Sequence, residues 1–207
     1  MNTLVEVVQS VWNEASPEVE RRWREFQLLG KEGEEEALFN ELSFCVLTAN
    51  WSAQGGIKAQ KEIGNGFLEL SEENLELELR NVGHRFPRAR ASYIVANRWI
   101  VGNLKEVICQ PESQAREYLV KNIKGIGWKE ASHFLRNVGK GDVAILDKHI
   151  LRLMLEAKLI EDIPKGWSKK KYLNYEEKLR PVAQYFSISL GKLDLYLWYS
   201  VKKRVDK

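Results

Sequence analysis

The stretch "KNIKGIGWKEASHFLRN", residues 121–137, places two closely spaced glycines between two segments of helical periodicity. The preceding segment is "AREYLVKNI" and the following one is "WKEASHFLRNV". Glycine adopts backbone angles that other residues avoid, so the intervening "KGIG" predicts a tight turn. Ile126, between the glycines, is expected to fill the space between the two helices. The sequence therefore predicts a helix, a turn and a second helix over residues 115–138.

This arrangement has the helix-hairpin-helix pattern, which binds a DNA phosphate through backbone groups without reading the base sequence. The amides of the turn and of the second helix's N-terminus would form an anion site. Gly125 and Gly127 would let the phosphate approach the main chain closely. A plain helical hairpin with a glycine-rich turn is the alternative. Ala131 and Phe134, packing behind the turn, favour DNA binding.

Lys129 lies in the first turn of the second predicted helix. The helix dipole disfavours an ammonium group at that end, and burial would disfavour it further. Both effects favour the neutral amine, which is the form a nucleophile needs. The dipole contributes only about 0.3–1 kcal/mol, so an ordinary solvated lysine stays the alternative.

Asp147, in "GKGDVAILDKHI", immediately precedes a segment with apolar periodicity and is predicted to cap a helix. Capping amides keep a carboxylate ionised, and a fixed anion stabilises the positive charge that develops when a glycosidic bond breaks. An amine and an ionised carboxylate together can attack C1′ of a nucleotide, expel the base and leave a Schiff base. That imine acidifies C2′–H, so elimination of the 3′ phosphate can follow.

Helical periodicity recurs along the chain, whereas period-two alternation and hairpin turns such as Asn-Gly are missing. Ser16 before Pro17, and Ser71 before two glutamates, are predicted helix N-caps. The sequence predicts an all-α protein with short helices at roughly 2–14, 17–30, 34–50, 55–67, 72–82, 87–102, 104–109, 113–123, 128–138, 147–157, 172–186 and 189–204.

Composition narrows the class of protein. The chain has 207 residues, is 44% hydrophobic and carries a formal net charge of +3, as expected of a mildly basic globular protein. Basic residues cluster at 165–173 and 201–207. Two cysteines are too few for a four-cysteine iron–sulfur cluster or a common zinc site. We expect no signal peptide and no membrane association. We expect a monomer in a reducing cytoplasm, associated with the nucleoid through its binding to DNA.

Five stretches together resemble the type-2 8-oxoguanine DNA glycosylase/AP lyases of archaea and some thermophilic bacteria, within the helix-hairpin-helix Gly/Pro-Asp DNA glycosylase superfamily. They are "LTANWSAQGG", "GHRFPRARASYIV", "NIKGIGWKEASHFLRN", "AILDKHI" and "LGKLDLYLW". The resemblance runs essentially end to end, including a final lysine. The loop before Asp147 has glycines but no proline, which departs from the superfamily pattern without affecting the chemistry. The missing cysteine cluster separates the chain from the endonuclease III and adenine-glycosylase branches.

The resemblance implies a two-lobed helical fold with the active site in the cleft and with Lys129 and Asp147 as the catalytic pair. It implies one catalytic unit over 1–207, with lobe A at about 1–35 plus 141–207 and lobe B at about 36–140. The implied activity is excision of 8-oxoguanine from duplex DNA followed by cleavage at the abasic site, in base excision repair. The alternatives are a glycosylase for another damaged base and a non-catalytic DNA-binding hairpin protein.

8-Oxoguanine differs from guanine in having a proton on N7 and an oxygen on C8, so a selective site needs an acceptor facing N7–H. Asp194 and Trp198 are spaced to share a helix face. Asp194 is expected to accept hydrogen bonds from N1–H and the N2 amino group, and Trp198 to stack on the base. The resemblance implies that the terminal carboxylate of Lys207 accepts N7–H. The simpler alternatives are that Asp194 is an acid at a helix start, that Trp198 is a core residue and that Lys207 is a frayed chain end.

Phe86 in "HRFPRAR" is expected to wedge into the base stack or contact the flipped base. Arg85, Arg88 and Arg90 are expected nearby for phosphates. The alternative is a solvated basic turn with one core aromatic.

Three further polar residues are weaker candidates. His133 could tune Lys129, bind phosphate or be a structural histidine, His149 could contact the DNA backbone, and Gln54 could reach a base edge or be an ordinary loop residue. No cofactor is expected, although the resemblance allows a monovalent cation held by the carbonyls of Ile123 and Ile126.

Overall fold

The computed structural model describes residues 3–207, and within that range every regular element is a helix. The all-α prediction is confirmed. A short 3-10 helix, Arg98–Ile100, follows the sixth α-helix. The α-helices are α1 (Leu4–Glu32), α2 (Glu35–Thr48), α3 (Ala53–Ile63), α4 (Gly66–Glu69), α5 (Glu72–Asn81), α6 (Pro87–Asn97), α7 (Leu104–Cys109), α8 (Glu112–Asn122), α9 (Trp128–Asn137), α10 (Lys148–Glu156), α11 (Lys169–Glu177), α12 (Arg180–Tyr185) and α13 (Leu190–Lys202).

The two helices predicted at 2–14 and 17–30 form one continuous helix, α1, with Pro17 inside it. The predicted cap at Ser16 is wrong. The Ser16 hydroxyl donates to the Trp12 carbonyl at 2.6 Å and lies 2.9 Å from the Tyr196 hydroxyl on α13. Proline removes one helical hydrogen bond, but the apolar face of α1 continues past it and packs along α13. Burial of that face keeps the helix continuous.

Three other predicted helices are each divided in the structure. Segment 55–67 separates into α3 and α4 at Gly64, which has φ +52°. Segment 87–102 ends as a 3-10 turn, and segment 172–186 divides into α11 and α12. The predicted cap at Ser71 is confirmed, since its side chain accepts from the Asn74 amide at 3.2 Å.

Two hydrophobic clusters form the cores of the two lobes. One consists of buried side chains from residues 38–143, and the other of side chains from 4–26 and 144–205. The lobe bounds expected from the sequence, at about 35/36 and 140/141, stay a prediction. The described helices include none long and apolar enough to cross a membrane.

A buried ion pair joins α8 of one lobe to α11 of the other. Arg116 donates to both carboxylate oxygens of Glu176, at 2.7 and 2.9 Å, and both side chains are almost fully buried. Glu176 also accepts the Ala144 amide at 2.8 Å. A second pair, Arg136 on α9 and Asp194 on α13, lies 3.4 Å apart. These contacts fix the helices that form the walls of the cleft.

Candidate active site

The hairpin between α8 and α9 is built around Gly125. This residue has φ +82°, and a Cβ placed on it would lie 2.7 Å from Cδ2 of Tyr93. Both the backbone angle and the lack of space require glycine there. Gly127, with φ −103° and ψ −170°, is in extended backbone that any residue adopts. The need for special backbone angles, inferred for both glycines from the sequence, therefore applies to Gly125 alone.

The turn itself is held from two sides. Asn97 on α6 donates to the Lys124 carbonyl and accepts from the Lys124 amide, both at 2.9 Å. The Gly127 amide donates to Glu130 at 3.2 Å, and Ile126 is buried between the helices, as predicted. The first amides of α9 have no acceptor within the helix and lie at the positive end of its dipole, so they can bind a phosphate.

Lys129 is the second residue of α9, and its side chain is 23% exposed. Its Nζ lies 3.0 Å from one carboxylate oxygen of Glu130. The other oxygen of Glu130 accepts the Gly127 amide, so the hairpin turn and the lysine share one carboxylate. The role of this amine as a nucleophile, expected from the sequence, stays a prediction.

Asp147 caps α10, which confirms its predicted structural role. Its Oδ1 accepts the amides of His149 at 2.8 Å and Ile150 at 2.9 Å. These two bonds orient the carboxylate and leave Oδ2 outside the cap. One oxygen can therefore hold the helix end while the other faces a ligand.

Lys129 and Asp147 line the same narrow cavity, of about 80 Å³, together with side chains of α9 and α13. We call it the narrow cavity. It adjoins a wider depression of about 750 Å³, the groove, which both residues also line together with Arg85, His149 and Trp167. The amine and the carboxylate thus line both the narrow cavity and the groove that adjoins it.

Residues 19–188 match the sequence model of a family described as 8-oxoguanine DNA glycosylase. This chain belongs to the 8-oxoguanine DNA glycosylase family. Relatives that match over most or all of the chain have names that agree with this family. A Thermotoga petrophila protein named 8-oxoguanine DNA glycosylase/AP lyase is 61% identical over 207 residues, 100% of both chains. A protein of the same name from Methanocaldococcus jannaschii is 52% identical over 183 residues, 87% of both chains.

Two solved structures of the family have the same fold. The crystal structure of the Thermotoga maritima 8-oxoguanine DNA glycosylase gives a TM-score of 0.97 at 61% identity, covering 99% of this chain and 98% of that one. The Methanocaldococcus jannaschii enzyme, solved in complex with 15mer DNA containing 8-oxoguanine, gives 0.94 at 48% identity, covering 99% of both chains. The two-lobed helix-hairpin-helix glycosylase fold predicted from the sequence is confirmed.

In this family member, Asp194 and Trp198 both line the narrow cavity. Burial raises the pKa of Asp194 to about 7, and the charge of Asp147 adds to this, while Arg136 opposes it. Trp198 meets the ring of His149 edge-on, with 5.5 Å between centroids. Its indole nitrogen is buried without a hydrogen-bond partner among the described residues. The residues that line the narrow cavity thus include an unpartnered donor and a titratable acceptor.

Lys207 also lines the narrow cavity, but its ammonium group points to the other side of α2. There Nζ donates to the buried carboxylate of Glu41 at 2.6 Å. The preceding residue, Asp206, is 5% exposed and accepts from Arg204 and Gln54. The tail is therefore anchored at both of its last residues, and Gln54 is engaged in holding it.

Phe86 is not brought to the narrow cavity. It is 41% exposed at the start of α6, with the guanidinium of Arg85 5.0 Å from its ring centroid. Arg85 lines the groove, and Arg88 is exposed beside Phe86. Arg90 is buried and donates to the Ala49 carbonyl at 2.7 Å, so the prediction that it binds phosphate is wrong. Its guanidinium holds the chain after α2 instead.

The two candidate histidines differ in their surroundings. His133 lies in the wall of the narrow cavity, where burial, with the charges of Arg136 and Lys129, holds its pKa well below the usual value. A hydrogen bond with the main chain of Lys207 opposes this lowering of the pKa of His133 without outweighing it. His149 lines the groove, and partial burial lowers its pKa while Asp147 opposes the shift.

Sequence reasoning missed Arg136, Asp206 and Glu41. Arg136 had a usable signal, because Lys129, His133 and Arg136 follow one helix face at positions i, i+4 and i+7. Asp206 and Glu41 had none, since the contacts that tie them to the site, Gln54 with Asp206 and Lys207 with Glu41, cross 152 and 166 residues of the chain.

Proposed function

We propose that this chain is a bifunctional glycosylase and AP lyase that removes 8-oxoguanine from duplex DNA. The observation that carries the proposal is the position of Lys129 and Asp147 on one narrow cavity at the second helix of the hairpin. Relatives of 61% identity are named for both activities, and a 48% identical relative was solved with DNA containing 8-oxoguanine. Duplex DNA is accordingly the proposed partner.

In the first step, the neutral Nζ of Lys129 attacks C1′ while the bond from C1′ to the base breaks. The bonding electrons leave with the base, which is protonated as it departs. Positive charge develops at C1′ and O4′, and the fixed carboxylate of Asp147 stabilises it. The two cap bonds to α10 hold this carboxylate in place, so it is aimed without reorganisation.

In the second step, the sugar ring opens as O4′ takes up the extra proton of Nζ, leaving an imine between Nζ and C1′. The protonated imine draws electrons from C2′, whose proton is lost to a base. The C3′–O bond then breaks and the 3′ phosphate departs. These residues supply the covalent chemistry themselves, so we propose no required cofactor. A monovalent cation on the Ile123 and Ile126 carbonyls would only assist phosphate binding.

The base would enter the narrow cavity after leaving the duplex stack. We propose that Trp198 contacts its face and that Asp194, once ionised, accepts from N1–H and the N2 amino group. The main-chain oxygen of Lys207 would accept N7–H, the proton that guanine lacks. Phe86, exposed at the start of α6 next to the groove residue Arg85, would fill the gap left in the stack.

The DNA backbone would be held mainly by uncharged groups of the hairpin. We propose that the amides around Gly125 and Gly127 bind one phosphate, with Arg85 and His149 contacting the backbone along the groove. Because the proposed site is built from one chain, the protein would act as a monomer associated with DNA in the cell.

Borohydride trapping tests the chemistry directly. Reduction of the imine would join the wild-type protein covalently to a duplex containing 8-oxoguanine, and Lys129→Gln would give no adduct. Asp147→Asn would keep the helix cap but slow adduct formation by roughly 10²-fold or more, because the carboxylate's charge is lost. The exposed Lys105→Gln is the matched control and would form adduct like wild type.

The alternatives give different results in the same assay. A protein that only binds DNA would yield no adduct with any duplex. A glycosylase for another lesion would give adduct with that base and not with 8-oxoguanine. Either result contradicts the proposal.

A further inference from the structure

Glu41, on α2 and outside the cleft, is a carboxylate only 3% exposed. A buried carboxylate is destabilising unless it is paired and hydrogen-bonded. Its Oε1 accepts from Asn137 at 2.5 Å, and its Oε2 accepts from Gln60 at 3.2 Å and from Lys207 Nζ at 2.6 Å. Lys207 is the cationic partner among these three donors, so the charge of Glu41 is balanced by the tail of the chain.

The Glu41 carboxylate is a rigid point of attachment. Asn137 belongs to α9 and Gln60 to α3, so two helices hold the carboxylate from different sides. Lys207 Nζ also lies 4.9 Å from the ring centroid of Phe44, three residues after Glu41 on the same face of α2. The ammonium is thus held by a charge and an aromatic face together.

Lys207 spans two cavities. Its side chain lies with Glu41 and Gln60 in a surface cavity on one side of α2, and the same residue lines the narrow cavity with Lys129 and Asp147 on the other side. Fixing the ammonium at Glu41 therefore limits where the main chain of Lys207 can lie in the narrow cavity.

Asp206, the residue before Lys207, is held by a separate set of contacts. After α13, Lys203 takes a left-handed conformation with φ +55°, and the chain turns back toward the cleft. Asp206 accepts from the Arg204 guanidinium at 3.0 and 3.1 Å and from Gln54. These bonds bring the tail to the cavity, whereas within residues 3–207 the Lys207 ammonium is held by Glu41 and Phe44.

We propose that Glu41 is a positioning residue for lesion recognition, which places the main-chain oxygen of Lys207 opposite N7–H by holding its ammonium group. The inference rests on the proposed function, in which that oxygen separates 8-oxoguanine from guanine. Attack at C1′ of a sugar that has already lost its base needs no such oxygen. Loss of the anchor should therefore affect base excision and spare cleavage at an abasic site.

The experiment compares Glu41→Gln, Lys207→Met and the double variant in the full chain. The single-turnover rate of 8-oxoguanine excision is divided by the rate of strand cleavage at a preformed abasic site. Each single variant should lower this ratio roughly tenfold or more, since a displacement of about 1 Å can cost about 10²-fold in rate. The double variant should match the worse single variant, because both changes break one contact.

Two controls separate positioning from stability. Lys207→Arg keeps a cation for Glu41 and should restore most of the ratio, whereas Lys105→Met removes an exposed ion pair with Glu34 and should leave the ratio unchanged. Abasic-site cleavage also measures the folded fraction, and Glu41→Gln decides the question if Lys207→Met does not fold.

A wild-type ratio in Glu41→Gln, or losses that multiply in the double variant, would overturn the positioning role alone. Absence of 8-oxoguanine excision by the wild-type protein, with abasic cleavage intact, would overturn the proposed function and this inference together.

Discussion

At the scale of single residues, Asp194 carries an acid–base property that can be measured without substrate. Asp194 lies on α13 in the wall of the narrow cavity, and its burial there raises its pKa to about 7, far above the usual value near 3.9. Between these two values the folded protein holds a proton that the unfolded chain has lost. The free energy of unfolding due to Asp194 is therefore greatest at low pH and falls as pH rises through about 7.

Asp194→Asn should remove this dependence. The stability of the wild-type protein relative to the variant should fall as pH rises from about 5 to about 8, by on the order of 2–3 kcal/mol. Urea unfolding of both proteins at the two pH values measures the difference. If the two stability curves run parallel, burial does not hold Asp194 protonated. Excision of 8-oxoguanine by wild type should rise over the same range, since the ionised carboxylate offers two acceptor oxygens to the base, whereas the protonated acid turns one of them into a donor.

At the scale of elements, the hairpin depends on Gly125, and Gly102 provides a matched comparison. Both have positive φ, +82° and +93°, but a Cβ would meet Tyr93 at Gly125 and open space at Gly102. Gly102→Ala should cost about 1–3 kcal/mol of stability from backbone strain alone. Gly125→Ala should cost more and should also weaken binding to undamaged duplex by roughly tenfold, because the phosphate-binding amides shift with Tyr93.

Urea unfolding and fluorescence anisotropy with a labelled duplex at fixed salt measure the two effects. Equal DNA binding by Gly102→Ala and Gly125→Ala would show that the turn does not position the phosphate site.

Local signals decided which elements could be predicted. Ser71, Asp147 and the hairpin glycines act within a few residues, and their elements appear where the sequence places them. Pro17 also acts locally, and there the prediction of a helix break is wrong because the buried face along α13 outweighs one lost hydrogen bond. Burial of a long helix face thus outweighs the helix-breaking propensity of a single residue.

The whole molecule sets a different limit on prediction. Lys129 stands out because a cation is unusual at a helix start, and Asp147 because it matches a helix N-cap; both line the narrow cavity. Arg90 looked like its exposed neighbours in the basic turn but is buried against Ala49. The bond from Lys207 to Glu41 crosses 166 positions in sequence, so no local pattern indicates it. Placing such pairs requires the relative position of the lobes.

That relative position depends on the buried pair of Arg116 and Glu176, which joins α8 to α11 across the two clusters. Arg116→Met should destabilise the protein by about 3–5 kcal/mol, because Glu176 would stay buried without a cation. Glu176→Gln in that background should recover part of the loss, giving a coupling energy of about 1–3 kcal/mol in urea unfolding.

The same two helices carry an exposed pair, Lys169 with Glu117, which serves as the control. Lys169→Met should cost less than about 1 kcal/mol, since water screens that pair. Because α8 also leads into the hairpin, Arg116→Met should slow adduct formation per folded molecule as well, through a shift of Lys129 relative to Asp147. Equal costs for the buried and exposed pairs would mean that hydrophobic packing alone, and not this ion pair, sets how the lobes meet at the cleft.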